Sequence, residues 1–453
     1  MANPTMPGHT YFDLPEVYHD PRANLPEVVP VDGSYKHAVT PDTLLEVQSA
    51  DGVEKPEHRI CGLKRKLFFI LVAIAAILII GAIVGGAVGA TVNKHSSTST
   101  SDSASLTASA TATATGSEAS ATSQASSILS NSGIASVNWT DSDNYSHYYV
   151  FHQNRTNDII ASFWDSQNKT WETASVSASL RESGYTLDVI EGTPITAVAW
   201  TNSDNEWNIR LYVLLTGNSI AELYTSDPTK DGPWYRDSLG SEITINTAYR
   251  SNIAAWHPNG GNSSWPPTVL MWQNDDQELV YSSSDDWTSK TTMITATNSS
   301  GIAISSIANG GNTSDVRWRF YYDNSGIISE GMFYGDLSNW LTNTGLGKMP
   351  SSSLTNFAAV CFDLVYMIVA DIHNGGNVVA RWWNAAVWST PTEPTFYDLP
   401  RGMNVSGTFT GIAGHADNKM YGIVDAEIHE WSFHTMTPME WTYSGQVKTT
   451  LDG

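Results

Sequence analysis

The chain has 453 residues, enough for two or three domains or for one large all-β domain with attachments. Its 23 Lys and Arg stand against 46 Asp and Glu, a net charge of −23, which excludes the basic surface that nucleic acid requires. The two cysteines, Cys61 and Cys361, flank a long apolar segment on opposite sides, so the chain has no disulfide framework.

Residues 1–66 are rich in Pro, Asp, Glu and His and carry few long apolar runs, the composition of a disordered tail. Leu67 to Val92 is then a run of about 26 uncharged, mostly apolar residues, where about 20 suffice to span a bilayer. It begins too late for a cleaved signal peptide and is expected to be a retained anchor. Arg59, Lys64, Arg65 and Lys66 precede it and only Lys94 and His95 follow, so the N-terminus is expected in the cytoplasm, a single-pass type II topology. Eight N-x-S/T triplets, at Asn138, Asn144, Asn154, Asn168, Asn262, Asn298, Asn312 and Asn404, all follow the span, in keeping with a lumenal or extracellular C-terminal part. Gly81, Gly85 and Gly89 fall four apart, as in a helix-dimerisation face, although small residues are also simply common in membrane helices. Cys61 is either an unmodified thiol or an S-palmitoylation site. Residues 93–131 are almost entirely Ser, Thr and Ala, a stalk that cannot bury enough apolar surface to fold and suits O-glycosylation.

Residues 132–453 repeat. Tryptophans recur at Trp171, Trp234, Trp287, Trp340, Trp388 and Trp441, each after a polar turn such as "KDGPW" or "DLSNW". A second series, "IASVNW", "ITAVAW", "IAAWHP", "IAISSI", "AAVCFD" and "FTGIAG", runs in the same phase. Alternating strands such as "IRLYVLL" and "RFYYD" lie between the two series, and no helical periodicity is evident. Each unit of about 50 residues is one small antiparallel sheet that cannot bury both faces alone. Stacked radially, six such units make an all-β, six-bladed β-propeller.

Two units carry charged pairs: Arg210 with Glu222, and Arg319 with Glu330, each bridging a hairpin and followed by a tryptophan, Trp234 or Trp340. This pattern resembles the fungal fucose-specific lectins, six-bladed propellers with sugar sites between blades. The resemblance covers about residues 132–453 and leaves out the tail, the apolar segment and the stalk. It implies sites built from an Arg, a Glu about a dozen residues later in an "I-x-E" step, and an aromatic beyond. Unit six offers Lys419, Glu430 and Trp441, with the Arg replaced. Units one, three and five depart from the pattern, with Ser162, with Val269 and Leu279, and with Met367 and Arg381 at about the expected positions. Tyr224 and Phe333 are rival aromatics to Trp234 and Trp340. The implied partner is a fucosylated or related glycan.

The residue types suit a sugar. Arginine offers five donors in a planar fork, an ionised glutamate only acceptors, and an aromatic covers an apolar ring face. An Arg opposite a Glu is equally an ordinary cross-strand contact. A propeller that has lost sugar binding and serves as a protein-interaction or cell-surface structural module is therefore the alternative. An enzyme is not expected: no two carboxylates face one bond, and no sialidase-type turn, nucleophile elbow or Gly-rich phosphate loop recurs. The histidines are scattered without ligand spacing, so neither a metal nor a cofactor is expected.

Overall fold

The computed structural model describes residues 59–60, 63–64 and, with short interruptions, 128–451. The apolar segment 67–92, the rest of the tail and nearly all of the stalk lie outside the described residues. Among the described residues, no helix is long and apolar enough to cross a membrane. Within the tail, β1 (Arg59–Ile60) pairs antiparallel with β2 (Leu63–Lys64).

The rest is the six-bladed propeller that the repeats predict. Blade one is β3 (Ile134–Thr140), β4 (Ser146–Gln153), β5 (Ile159–Asp165) and β6 (Trp171–Ser175). Blade two is β7 (Ile195–Thr201), β8 (Trp207–Leu214), β9 (Ile220–Thr225) and β10 (Tyr235–Arg236). Blade three is β11 (Ile253–Trp256), β12 (Val269–Gln273), β13 (Glu278–Ser283) and β14 (Asp286–Thr295). Blade four is β15 (Ile302–Asn309), β16 (Asn312–Asp323), β17 (Ile327–Tyr334) and β18 (Asp336–Thr342), with β19 (Met349–Pro350) also on β17. Blade five is β20 (Ala358–Phe362), β21 (Tyr366–Ile372) and β22 (Val378–Trp383). Blade six is β24 (Phe409–His415), β25 (Lys419–Val424), β26 (Glu427–Met436) and β27 (Met439–Val447), with β23 (Thr395–Tyr397) added in parallel to β27.

The innermost strands β3, β7, β11, β15, β20 and β24 are neighbours in that order, and β24 returns to β3 to close the ring. Six strands converging on one axis leave little room, which is why this series reads Ile-Ala or Phe-Ala in most blades: Ala135, Ala254, Ala303, Ala358 and Ala413 line the axial channel. Among the described residues, no blade mixes strands from the two ends of the chain. The seam between blades six and one is instead tied by Ser162 Oγ donating to the Lys448 carbonyl at 2.6 Å and Thr173 Oγ1 to that of Thr450 at 2.7 Å. The packed unit also begins earlier than residue 132, since Ile128 is fully buried and bridges Asn154. One short helix breaks the all-strand expectation: α1 (Val176–Glu182) is capped by Ser175, whose Oγ accepts from the Ala178 N–H, and buries Val176 and Leu180 between blades one and two.

Successive side chains of a strand point to opposite faces, and here each face meets a different blade. On β8, Ile209, Leu211 and Val213 join the cluster shared with blade one, whereas Tyr212 and Leu214 join the one shared with blade three. On β16, Trp318, Phe320 and Tyr322 face blade three and Tyr321 faces blade five. On β25, Met420 and Val424 face blade five, and Tyr421 and Ile423 face blade one. Packing is tight enough to fix residue size. A Cβ on Gly331 would stand 1.9 Å from the Phe320 ring, so only glycine fits there.

Two histidines are buried within this packing. His152 finds no hydrogen-bond partner for either ring nitrogen, and burial pushes its imidazole down to about 3. His415, 3.0 Å from the Tyr421 hydroxyl, is also held down to about 3, by burial and then by Lys419. Both are neutral in the native state, while the unfolded chain protonates near 6.5. Below 6.5 the unfolded state binds more protons, so stability falls as pH falls, by about 1.4 kcal/mol per imidazole per pH unit until the native pKa is reached. The thermal midpoint is therefore expected to drop between pH 6.5 and 4, and His152→Leu should flatten that drop; an identical slope in the variant contradicts the assignment.

Candidate functional site

The charged pairs of the even-numbered blades all lie at the interface with the following blade. Arg210 and Tyr212 on β8 and Glu222 and Tyr224 on β9 point toward blade three. Arg210 pairs across the hairpin with Tyr224, and Tyr212 with Glu222. Arg210 Nη1 lies 3.6 Å from Glu222 Oε1 and also contacts Asp237 Oδ2, and the guanidinium stands 4.6 Å from the centre of the Tyr224 ring. The Tyr212 hydroxyl donates to Glu222 Oε1 at 2.8 Å, and Trp287 of blade three hydrogen-bonds the same carboxylate. Burial pushes the Glu222 carboxyl up, against the opposing pull of Arg210 and these hydrogen bonds. Trp200 stacks on His257 with ring centres 4.0 Å apart beside the guanidinium, and burial with the Arg210 charge holds His257 down to about 4.

Blade four repeats the arrangement toward blade five. Arg319 Nη1 donates to Glu330 Oε1 at 2.6 Å, and the Tyr321 hydroxyl lies 3.0 Å from the same oxygen and 2.6 Å from Met367 Sδ of blade five. The Glu330 side chain is fully buried. Trp383 of blade five lies beneath the Arg319 guanidinium at 5.3 Å, and Trp388 stands edge-on to Tyr321. Blade six repeats it toward blade one. Lys419 Nζ donates to Glu430 Oε1 at 2.6 Å and to Ser432 Oγ at 2.9 Å, with Tyr421 beside the carboxylate and Trp171 of blade one edge-on to Tyr421.

The tryptophans that sequence order assigns to these pairs are not in their clefts. Trp234 packs between blades one and two against Phe151, Trp340 packs against the cluster shared by blades three and four, and Trp441 is buried between blades five and six. Each blade's outer tryptophan faces the preceding blade. The pair at Arg210 is thus closed by Trp287, that at Arg319 by Trp388, and that at Lys419 by Trp171. Of the rival aromatics, Tyr224 joins its arginine and Phe333 does not, being buried on the opposite face.

The same face rule revises the odd-numbered blades. Ser162 and Arg381 point back to the preceding blade, and the position matching Glu222 is Ala161 in blade one, Tyr281 in blade three and Ala380 in blade five. Tyr149, Val269 and Ile368 stand where Arg210 does. These three interfaces are apolar at the positions where the other three are charged. Sequence reasoning passed over the tyrosine two residues after each cation, though Arg210-x-Tyr212, Arg319-x-Tyr321 and Lys419-x-Tyr421 were there to read. It also missed Asp237, which contacts Arg210. Among the described residues, no group of three or more His, Cys, Asp or Glu could hold a metal ion.

Residues 176–369 match the fungal fucose-specific lectin family, so the resemblance carried by the Arg and Glu pairs is borne out. Similar solved structures include the Aleuria aurantia lectin, a six-bladed propeller (16% identity, TM-score 0.54, 72% of this chain and 99% of that one). A variant of it in complex with Fucα1-6GlcNAc matches at 17% identity and a TM-score of 0.52, over 72% and 99% of the two chains. A protein from Arthrobotrys oligospora matches at 13% identity and a TM-score of 0.53, over 72% and 88%. At these identities the likeness establishes the shared fold. No curated protein matches the chain.

The Tyr212 hydroxyl favours the charged form of the Glu222 carboxylate against the upward push of burial. Tyr212→Phe removes a donor to Glu222 and leaves its pKa still higher, so the loss of stability, about 1–3 kcal/mol, should be greater at pH 8 than at pH 4. Denaturant unfolding at the two pH values reads this directly; an equal loss at both would mean the hydroxyl does not act through the carboxylate.

Proposed function

We propose that this chain is a membrane-anchored lectin that binds fucosylated or related glycans in the clefts after blades two and four. The family match and the shared fold support the ligand class. The observation that carries the reading lies within the ring itself. All six interfaces pack blade on blade, yet three do so with apolar residues and three bury a cation, a tyrosine and a glutamate at the same positions. Burying an ion pair contributes little net stability, and apolar residues of similar volume commonly do as well or better. The odd-numbered blades show that this ring can be braced without charge. The retained triads therefore serve recognition, in line with the clustering of charged buried groups at functional sites.

The geometry suits a sugar. The guanidinium presents donors, the glutamate acceptors, and the side chains are already held by Tyr212 or Tyr321, which lowers the ordering cost on binding. Charge-assisted bonds to hydroxyls contribute roughly 1.5–3 kcal/mol each. Lys419 keeps its glutamate but offers a point charge in place of a fork, so the cleft after blade six is the weaker site. Two or three sites on one rigid ring gain through multivalency on a glycan-coated surface.

The anchor is residues 67–92, with the basic cluster on the cytoplasmic side and the propeller lumenal or extracellular. Asn144, Asn168, Asn298 and Asn404 are exposed and suit glycosylation there. Asn154 does not, since it is buried with its Oδ1 accepting from the backbone of Thr156 and Asp158.

Immobilised Fucα1-6GlcNAc should capture the chain, and Arg210→Ala with Arg319→Ala together should lower the affinity by at least about 100-fold with the fold retained. Undiminished capture by the double variant would refute the assignment of these clefts. Failure of the intact chain to bind any glycan would instead favour an interaction module.

A further inference from the structure

In two of the three charged clefts a histidine stands behind the tyrosine. After blade two, the Tyr212 hydroxyl donates its one proton to Glu222 Oε1 at 2.8 Å, so its oxygen is left to accept. The hydroxyl that meets it is that of Thr268 on blade three. Thr268 is buried, and its backbone is tied to Ser284, whose Oγ accepts the Thr268 N–H at 3.1 Å and whose N–H donates to the Thr268 carbonyl at 2.9 Å. Having given its proton to Tyr212, the Thr268 oxygen can only accept, and His257 Nδ1 lies 3.0 Å from it. Burial and the Arg210 charge keep His257 neutral, with a single ring proton, and the order of donors puts that proton on Nδ1. The stack on Trp200 holds the ring in place. The chain of donors therefore runs from His257 through Thr268 and Tyr212 to Glu222.

After blade six the same end is reached by a shorter path. Tyr421 hydrogen-bonds Glu430, and His415 Nε2 lies 3.0 Å from the Tyr421 hydroxyl. The Asp417 N–H donates to His415 Nδ1 at 3.3 Å, which independently places the one proton of this neutral ring on Nε2. The cleft after blade four is built differently. Ser305 pairs with Arg319 where His415 pairs with Lys419, and Met367 precedes Ile368 where Thr268 precedes Val269. There the Tyr321 hydroxyl has one proton and two acceptors, Glu330 Oε1 at 3.0 Å and Met367 Sδ at 2.6 Å, so its donation is divided.

A hydroxyl that accepts from one side and donates to the other cannot turn away from its carboxylate, and each bond in such a chain strengthens the next. We propose that His257 is a positioning residue of the cleft after blade two, committing Glu222 through Thr268 and Tyr212 to accept from ligand hydroxyls, and that His415 does the same for Glu430 after blade six. This rests on the lectin reading and deepens it: an acceptor already fixed need not be ordered when the sugar arrives.

The test titrates the full-length chain carrying Arg319→Ala, in which the cleft after blade two keeps its arginine, with methyl α-L-fucoside. His257→Leu and Thr268→Val should each weaken binding about tenfold. Combined, they should weaken it no more than either alone, because both cut one chain. His257→Asn, whose amide keeps a donor near the Nδ1 position, and Thr268→Ser should restore most of the affinity. In the Arg210→Ala chain, where binding falls to the cleft after blade four, neither His257→Leu nor Thr268→Val should matter. Nitrogen-15 NMR of the histidines in the unsubstituted chain should find the His257 proton on Nδ1 and the His415 proton on Nε2, a signature that packing alone would not fix and that needs no variant to fold. Undiminished binding, losses that add, or a His257 proton on Nε2 overturns this proposal alone. Failure of the unsubstituted chain to bind the fucoside removes the lectin reading along with it.

Discussion

In a closed ring of six sheets every strand is sandwiched, so its odd and even residues are committed to different neighbours. That commitment governs the rest of the molecule. It turns the two-residue period of a strand into an address: Leu211 belongs to one cleft and Arg210, its chain neighbour, to another. A shift of one residue in any hairpin would carry a guanidinium into an apolar cluster and an aliphatic side chain into a charged one. Each triad is thereby held in register by the apolar residues that alternate with it, Ile209 and Leu211 around Arg210, Trp318 and Phe320 around Arg319.

The clefts divide into two kinds that alternate around the axis. Those after blades one, three and five are filled by apolar side chains, including Phe151, Met271 and Ala380. Those after blades two, four and six each bury a cation–tyrosine–glutamate group at the same three positions. The apolar clefts supply hydrophobic burial, which does most to hold blade to blade. The charged clefts contribute less to stability per residue and keep buried polar groups prearranged. A division of labour follows, in which the stable interfaces let the others carry groups whose burial is costly.

The repeat period, the blade number and the charged pairs were legible in the sequence because each leaves a local mark: a tryptophan after a polar turn, an Ile-Ala step, an Arg and a Glu across one hairpin. What the sequence hid was which blade faces which. Trp234 follows Glu222 in the chain, yet Trp287, a whole blade later, meets the carboxylate, since outer strands lean on the preceding blade. The same misplacement affected Arg381, which looked like a decayed glutamate of blade five and lies instead on the face turned to blade four. Aligning "IIAS" with "IAEL" by its letters put Ser162 at the glutamate position, whereas pairing with Phe151 puts Ala161 there. The helix at Val176–Glu182 escaped notice since seven residues are too few to show a period, and its start depends on one serine cap.

The most direct test of the whole account is a crystal of the propeller soaked with methyl α-L-fucoside. The account predicts sugar in the clefts after blades two and four, touching Arg210 with Glu222 and Arg319 with Glu330 and flanked by Trp287 and Trp388. Sugar seated instead beside Trp234 or Trp340, or in the apolar clefts, would contradict it.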